Sequence, residues 1–348
     1  MNKRIVFTGG GSAGHVTPNM ALFPQLLSEG YEIHYIGTAD GIEKKLMADK
    51  DYIIYHEISA GKLRRYFSLK TLATPFKVLK GIGEARRIIR KIDPDVVFSK
   101  GGYVSVPVVT HESDYTPGLA NKINSRFADK ICVTFEDTLK FTGEKGVHTG
   151  TPIRPELYKG DKQRGLDFLG FNGEKPVLMI MGGSLGAAAI NSAVRAALPK
   201  LERTFDIVHI CGAGKAEKEL DSASYKQYEF ISNELSDVFA ATDVVISRAG
   251  ANAVFEFLAL CKPMLLIPLP LSASRGDQIQ NAGYFSRKGY AMVLEQEQLN
   301  ENTLLDSVND LYDRRLSFIA TMSADAKADG TDEVLDVIRA EAAKRRKK

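Results

Sequence analysis

Arg4-Ile5-Val6-Phe7-Thr8-Gly9-Gly10-Gly11-Ser12-Ala13-Gly14-His15 is the stretch whose reading decides the fold. Arg4 to Thr8 is short, β-branched and aromatic, as a buried parallel strand should be. The glycines supply a tight turn, and the apolar spacing from Val16 to Ser28 predicts a helix. A turn in that position brings backbone N–H groups to a helix N-terminus, a geometry suited to anions. The second half repeats the order: Val177-Leu178-Met179-Ile180-Met181 as strand, Gly182-Gly183-Ser184-Leu185-Gly186 as turn, and Ala187 to Leu198 as helix. The repetition predicts an α/β protein of two nucleotide-fold domains with parallel sheets facing a central cleft.

The length agrees, because 348 residues exceed the size at which single cores stop growing. In the first half, strands are expected at Glu32 to Ile36, Ile53 to His56 and Pro94 to Ser99, with Lys130 to Thr134 closing the sheet. Helices are expected from Gly41 to Ala48 and from Leu69 to Ile92. Strands of the second half fall near Val177, Ile207, Tyr228, Val244, Met264 and Ala291. Thr149 to Pro155, dense in turn formers, is the expected linker, giving domains 1–152 and 153–325. Residues 326–348 hold a helix, Val334 to Ala343, expected to pack back on the first domain. One place breaks the rhythm: only Gly101 to Thr110 separate Lys100 from His111. A parallel crossover needs a dozen or more residues, so this unit is expected to fall short of a full βαβ and to leave its half of the molecule open to misassembly.

Composition excludes several classes. A net charge of +3 gives no reason to propose nucleic acid. Cys132, Cys211 and Cys261 have no metal or disulfide spacing and read as buried apolar residues in a reducing compartment. No apolar run approaches the roughly 20 residues of a membrane span, so a cytosolic protein is expected. Charge is uneven, however. From Gly61 to Lys91, ten Lys or Arg face a single acid, Glu84, and are interleaved with Tyr66, Phe67, Phe76 and aliphatic residues. Such a region suits an anionic membrane surface, at about 1 kcal/mol per basic residue, and equally a solvated cationic helix face. Lys344 to Lys348 reads as a frayed terminus.

Gly9-x-Gly11-x-x-Gly14 matches the dinucleotide fingerprint, but the second strand ends Tyr35-Ile36-Gly37-Thr38 without the acid that would hold a ribose, which weakens an oxidoreductase reading. His15 stands at the mouth of the turn, where it serves either as a general base or merely as packing at the helix start. Farther on, Asp243 to Ser247 is a strand, Arg248 to Asn252 a turn, and Ala253 to Leu258 a helix opening, an arrangement suited to a diphosphate. Glu256, one helical turn in, suits the two ribose hydroxyls, or simply the helix dipole. Arg154 and Ser184 are candidates for phosphate contact. Asp277 and Gln278 follow a buried strand, Met264 to Leu269, in a loop placed to reach sugar hydroxyls. No metal cluster is evident, and no Asp-x-Asp pair stands on a strand end of the kind that would hold a divalent ion for a sugar nucleotide, so no metal and no cofactor is expected.

Six segments in order carry a family signature: GGGSAGHVTP (9–18), FSKGGYVSVP (98–107), HESDYTPGLANK (111–122), MGGSLG (181–186), SRAGANAVFE (247–256) and SRGDQIQNA (274–282). Together they resemble the MurG family of glycosyltransferases, family 28, over nearly the whole chain. The resemblance implies a GT-B fold of two Rossmann-like domains. It also implies an inverting transfer of GlcNAc from UDP-GlcNAc to the muramyl 4-hydroxyl of undecaprenyl-pyrophosphoryl-MurNAc-pentapeptide, at the cytoplasmic face of the cell membrane. By motif match, Ser12, Ala13 and Gly14 line the first loop with His15 as candidate base. Arg154, Ser184 and Ile231 meet the nucleotide, the Ile231 backbone reading uracil. Gly250, Ala251, Asn252, Ala253 and Val254 wrap the diphosphate, Glu256 takes the ribose, and Asp277 with Gln278 the GlcNAc hydroxyls. Tyr103, His111, Glu112 and Asp114 fall on the acceptor side.

The chain departs from the family pattern twice. Ser12-Ala13 stands where Thr-Gly is usual, and roughly a dozen residues are missing between Val109 and His111, matching the short crossover. Alternatives are another GT-B enzyme using a UDP-sugar and a lipid acceptor, or a UDP-GlcNAc-binding protein inactive because of the shortened segment 101–110.

Overall fold

Strand β1 (Lys3–Thr8) is enclosed by apolar side chains, with Ile5, Val6 and Phe7 fully buried, and a sheet grows from both of its edges. The structure, a computed structural model, describes residues 3–59, 74–101, 109–182, 187–325 and 328–346. The chain divides into two compact units, Met1–Pro152 with Asp329–Lys348, and Ile153–Ala328.

In the first unit, β1 pairs in parallel with β2 (Tyr31–Thr38) and β4 (Val96–Ser99). β3 (Ile53–Ile58) lies beyond β2; β5 (Val109–Glu112), β6 (Lys130–Val133) and β7 (Gly146–His148) follow β4, giving the order β3-β2-β1-β4-β5-β6-β7 among the described residues. Helices α1 (Thr17–Ser28), α2 (Ile42–Met47), α3 (Thr74–Ile92) and α4 (Leu119–Phe127) connect them. Phe7 meets Phe23 of α1 and Phe98 of β4 edge to face at 5.0 and 5.6 Å, so the first strand, helix and crossover strand share one aromatic cluster.

Two expectations for this sheet are corrected. Lys130 to Thr134 does not close it, because β7 adds a further edge strand, whose three residues carry no apolar alternation to betray them. Nor does the short segment before His111 prevent assembly. β5 pairs in parallel with both β4 and β6, and Val109 sits beside Phe98, near the carboxyl end of β4. β5 therefore starts beside the end of β4, with Thr110 next to Ser99.

The second unit carries α5 (Lys162–Leu169), β8 (Val177–Met181), α6 (Ala188–Leu201), β9 (Asp206–Ile210), β10 (Tyr225–Tyr228), α7 (Leu235–Ala241), β11 (Val244–Ser247), α8 (Ala251–Ala259), β12 (Met264–Leu266), α9 (Asp277–Arg287), β13 (Ala291–Val293), α10 (Glu301–Asp313) and α11 (Arg315–Ser323). Its parallel sheet has the order β10-β9-β8-β11-β12-β13. All six strands stand where the sequence puts them. Cys132 and Cys211 are buried, whereas Cys261, just past α8 at φ 49°, is partly exposed.

The last helix, α12 (Thr331–Arg346), belongs to the first unit, where Val334, Leu335, Ile338 and Ala342 join the core around Ile5, Phe7 and Leu22. The tail is not frayed as far as Arg346. Arg345 pairs with Asp93 at 2.6 Å and Arg346 with Asp95 at 2.7 Å, so acids of the α3–β4 turn hold the end of the helix. In α3, Ala85 and Ile92 are buried and Ile88 and Ile89 pack against the sheet, while Arg86, Arg87, Arg90 and Lys91 face outward. Residues 60–73 of the basic region lie outside the described residues.

α12 enters the first unit through a tight passage. A Cβ at Gly330 would stand 2.1 Å from the Thr149 carbonyl oxygen and within 2.8 Å of Gly150 and Thr151 backbone atoms. Gly330→Ala is therefore expected to lower stability by roughly 1–3 kcal/mol, the usual cost of forcing atoms into filled space. Urea unfolding checks this; an unchanged midpoint contradicts the passage.

Candidate active site

Each sheet reverses strand order at one point, and at those points turns leave adjacent carboxyl ends side by side. In the first unit the pair is β1 and β4, where Thr8 lies beside Ser99. The first glycine turn therefore runs alongside Lys100-Gly101. After Gly11 (φ 88°) the chain takes a 3-10 turn, Ala13–His15, into α1. His15 Nδ1 lies 3.2 Å from the Gly10 carbonyl oxygen. A carbonyl only accepts, so Nδ1 carries the proton and the neutral ring keeps its lone pair on Nε2. Ser12 is exposed and His15 partly so.

The reading of this turn as an open anion cradle is corrected. Glu43, 2% exposed in the first turn of α2, accepts from the Gly11 N–H at 3.3 Å. Its other oxygen accepts from the Thr38 N–H and hydroxyl at 3.0 and 2.8 Å. Burial alone would raise its pKa, but those hydrogen bonds outweigh it and hold the carboxyl below its usual range. The Gly11 N–H is thus committed to a residue of the chain itself.

Behind the turn lies a second buried group. Lys100 and His111 are 2% and 0% exposed, and Lys100 Nζ donates to His111 Nδ1 at 2.8 Å. His111 Nε2–H then donates to the Gly150 carbonyl at 2.9 Å. Burial, aided by the neighbouring Lys100 charge, holds His111 well below its ordinary pKa. Burial also lowers Lys100, to about 7, against the pull of Glu112 and Asp114. Glu112 accepts from the Asp114 and Gly118 N–H groups, each at 3.0 Å, and from Asn121 Nδ2 at 2.9 Å. Desolvation first, then the Asp114 charge, raises it to about 7. Of the residues expected on the acceptor side, the His111 side chain is enclosed between Lys100 and the Gly150 carbonyl, and the Glu112 carboxylate is enclosed by the Asp114 and Gly118 N–H groups and the Asn121 side-chain amide. Asp114 is partly exposed, and Tyr103 lies outside the described residues.

In the second unit the reversal falls between β8 and β11, where Met181 lies beside Ser247 and the Ser247 hydroxyl donates to the Met181 carbonyl at 2.7 Å. The turns beginning at Gly182 and Arg248 therefore start together; Ser184 lies outside the described residues. Gly250 caps α8, directing the N-terminal backbone of Ala251, Asn252 and Ala253, with Val254 behind them, toward the turn. The structure joins two residues that the sequence left apart, since Arg154 Nε donates to Glu256 Oε1 at 3.1 Å. Burial raises the Glu256 pKa despite that arginine.

Gly276 (φ 86°) caps α9, so Asp277 and Gln278 open that helix. Asp277 pairs with Arg275 at 2.9 Å, and Gln278 Oε1 accepts from the Leu269 N–H at 3.0 Å, leaving its amide nitrogen as the end available to a ligand. Ile231 is half-buried in the loop between β10 and α7. Arg248, given no role by the sequence, is buried and donates to the Ile267 and Pro268 carbonyls at 2.9 and 3.2 Å. It ties the turn after β11 to the loop carrying Asp277. Among the described residues no group of three or more His, Cys, Asp or Glu is placed to hold a metal.

Comparison with known proteins places this geometry. Residues 5–133 match the glycosyltransferase family 28 N-terminal domain, and residues 177–337 the family 28 C-terminal domain. A Clostridium tetani protein named UDP-N-acetylglucosamine--N-acetylmuramyl-(pentapeptide) pyrophosphoryl-undecaprenol N-acetylglucosamine transferase is 51% identical over 97% of this chain and 98% of its own. A Lachnospira eligens protein of the same name is 52% identical over 97% and 99%. Among solved structures, Acinetobacter baumannii MurG is 26% identical with a TM-score of 0.75, covering 97% of this chain and 99% of its own. The kitacinnamycin glycosyltransferase, at 14% identity and TM-score 0.73 over 98% of this chain and all of its own, shares the fold.

The buried carboxyl at 112 has a consequence for stability. Its folded pKa of about 7 lies above the ordinary 4.5, so the folded protein holds a proton that the unfolded chain releases between those values. The contribution is complete below pH 4.5 and lost as pH rises through 7. Glu112→Gln should flatten that part of the profile by up to about 3 kcal/mol. Unfolding at pH 5 and pH 7 measures it, and parallel profiles for the two proteins refute it.

Proposed function

Because the chain belongs to glycosyltransferase family 28, we propose that it transfers GlcNAc from UDP-GlcNAc to the 4-hydroxyl of MurNAc in undecaprenyl-pyrophosphoryl-MurNAc-pentapeptide. The observation that carries this reading is the 51–52% identity, over 97% of the chain, to transferases whose name states that donor and acceptor.

The reaction is a direct, inverting displacement. The muramyl 4-oxygen attacks the anomeric carbon, its proton passes to His15 Nε2, and the bond from that carbon to the diphosphate oxygen breaks. A ring whose Nδ1–H is held by the Gly10 carbonyl presents the basic nitrogen to the substrate. The departing UDP gains negative charge, which the N-terminus of α8, from Gly250 to Val254, meets with backbone dipoles. Arg154 faces the nucleotide and fixes Glu256, whose second oxygen takes the ribose hydroxyls. The Ile231 backbone reads uracil, Ser184 touches phosphate, and Asp277 and Gln278 hold the sugar. Ser12, Ala13 and Gly14 border the donor sugar and acceptor; Tyr103 and Asp114 contact the acceptor, while His111 and Glu112 act by positioning. Neutralisation by dipoles and arginine makes the transfer independent of added metal.

The enzyme works as a peripheral protein on the cytoplasmic face of the cell membrane. No helix among the described residues is long and apolar enough to cross one. The outward face of α3, with Arg86, Arg87, Arg90 and Lys91, supplies charge for anionic lipid.

Purified protein should consume UDP-GlcNAc only when the polyprenyl-pyrophosphoryl muramyl acceptor is present, with EDTA without effect. Turnover without that acceptor, or transfer to diacylglycerol, places it elsewhere in the fold class. His15→Ala should reduce kcat by about 10² to 10⁴ while UDP affinity by calorimetry stays the same; unchanged turnover removes His15 as base. Reversing the charge of Arg86, Arg87, Arg90 and Lys91 should weaken sedimentation with anionic vesicles, most at low salt. Binding indifferent to those charges makes α3 an ordinary soluble face.

A further inference from the structure

We propose that Glu43 is a positioning residue for the transfer, an internal anion that fills the cradle of the first glycine turn and fixes the ring of His15 through Gly10 and Gly11. The inference rests on the reading of His15 as the base.

Space for this carboxylate is built into the chain. A Cβ at Gly10 would stand 2.7–2.8 Å from the three carboxyl atoms, and one at Gly41 only 2.1–2.3 Å from them. At Gly37 it would meet Glu43 Cγ at 2.7 Å. Three glycines, one in the first turn, one in β2 and one capping α2, thus leave room for one side chain. Its two oxygens divide the work: Oε1 is fastened to Thr38 at the end of β2, and Oε2 reaches the Gly11 N–H. The peptide joining Gly10 to Gly11 is consequently held at both ends, its N–H by Glu43 and its C=O by His15 Nδ1–H. Tyr35 adds a third tie, donating to the Gly9 carbonyl at 2.6 Å.

Two consequences follow from the charge. A carboxylate already in the cradle repels a phosphate, so the first turn serves the base and the diphosphate is left to the second unit. It also polarises the shared peptide, making the Gly10 oxygen a better acceptor for His15 Nδ1–H and so favouring the tautomer with its lone pair on Nε2.

Glu43→Gln tests this because it keeps the shape but retains a single acceptor oxygen. With that oxygen toward Thr38, the amide NH2 opposes the Gly11 N–H. In the substrate-free protein, imidazole nitrogen-15 shifts should show His15 leaving the pure Nδ1–H form. In the assay, kcat should fall on the order of 10²-fold, the effect of a small misplacement of a reacting group, with donor affinity within twofold. In a His15→Ala background the same substitution should cost almost nothing. Glu43→Ala, read with and without formate, is the second variant, with formate expected to restore both the shifts and the rate. An unchanged His15 spectrum, or losses that simply add in the double variant, overturns the proposal. The spectrum needs no substrate, so a wild-type protein inactive on the proposed acceptor refutes the functional reading and leaves the tautomer result to be judged separately.

Discussion

Parallel pairing at two places, Thr8 beside Ser99 and Met181 beside Ser247, constrains everything else in this protein. In each sheet the first strand of the unit has neighbours reached in opposite directions. The two turns leaving those adjacent carboxyl ends therefore cannot be covered by their own crossover helices. Backbone N–H groups gather there, and the two units use them differently. In the second, they lie at the N-terminus of α8, behind its Gly250 cap. In the first, Glu43 has taken the Gly11 N–H, and the turn becomes a mount for an imidazole.

Around the first turn, charge is handled by burial instead of by exposed ion pairs. Lys100, His111 and Glu112 are all enclosed, and each is shifted toward its neutral form by loss of water. Each is also hydrogen-bonded, so the enclosure leaves a stiff frame: His111 fixes Gly150 and Glu112 fixes the backbone at Asp114 and Gly118. Charges deep in the frame cost little when their neutral forms still hydrogen-bond. The second unit has a counterpart in Arg248, which has carbonyls and Gln296 for partners and joins the turn after β11 to the segment after β12.

Much of this was legible in the residues. The strand and helix of each glycine unit, all six strands of the second sheet, and the docking of Val334 to Ala343 follow from apolar periodicity, which survives because those faces are buried. The expectations for His15, Glu256, Asp277 and Gln278 rest on their positions after strands. What escaped was long-range. β7 has no apolar pattern, and the stagger that rescues β5 depends on register, which a list of residues does not contain. Glu43 reads as an ordinary acid in a helix's first turn until Gly10, thirty-three positions earlier, is brought against it.

The sequence by itself determined two α/β units of the family 28 kind and the strand ends on which their chemistry sits, because short-range periodicity and glycine placement dictate strand, turn and helix locally. Tertiary structure alone decided which polar groups are spent inside the protein and which remain for a ligand. That allocation is a matter of distances between residues remote in the chain: Glu43 against Gly11, Lys100 against His111, Arg154 against Glu256. A hydrogen bond or a desolvated charge exists only once folding has closed those distances and expelled the water between.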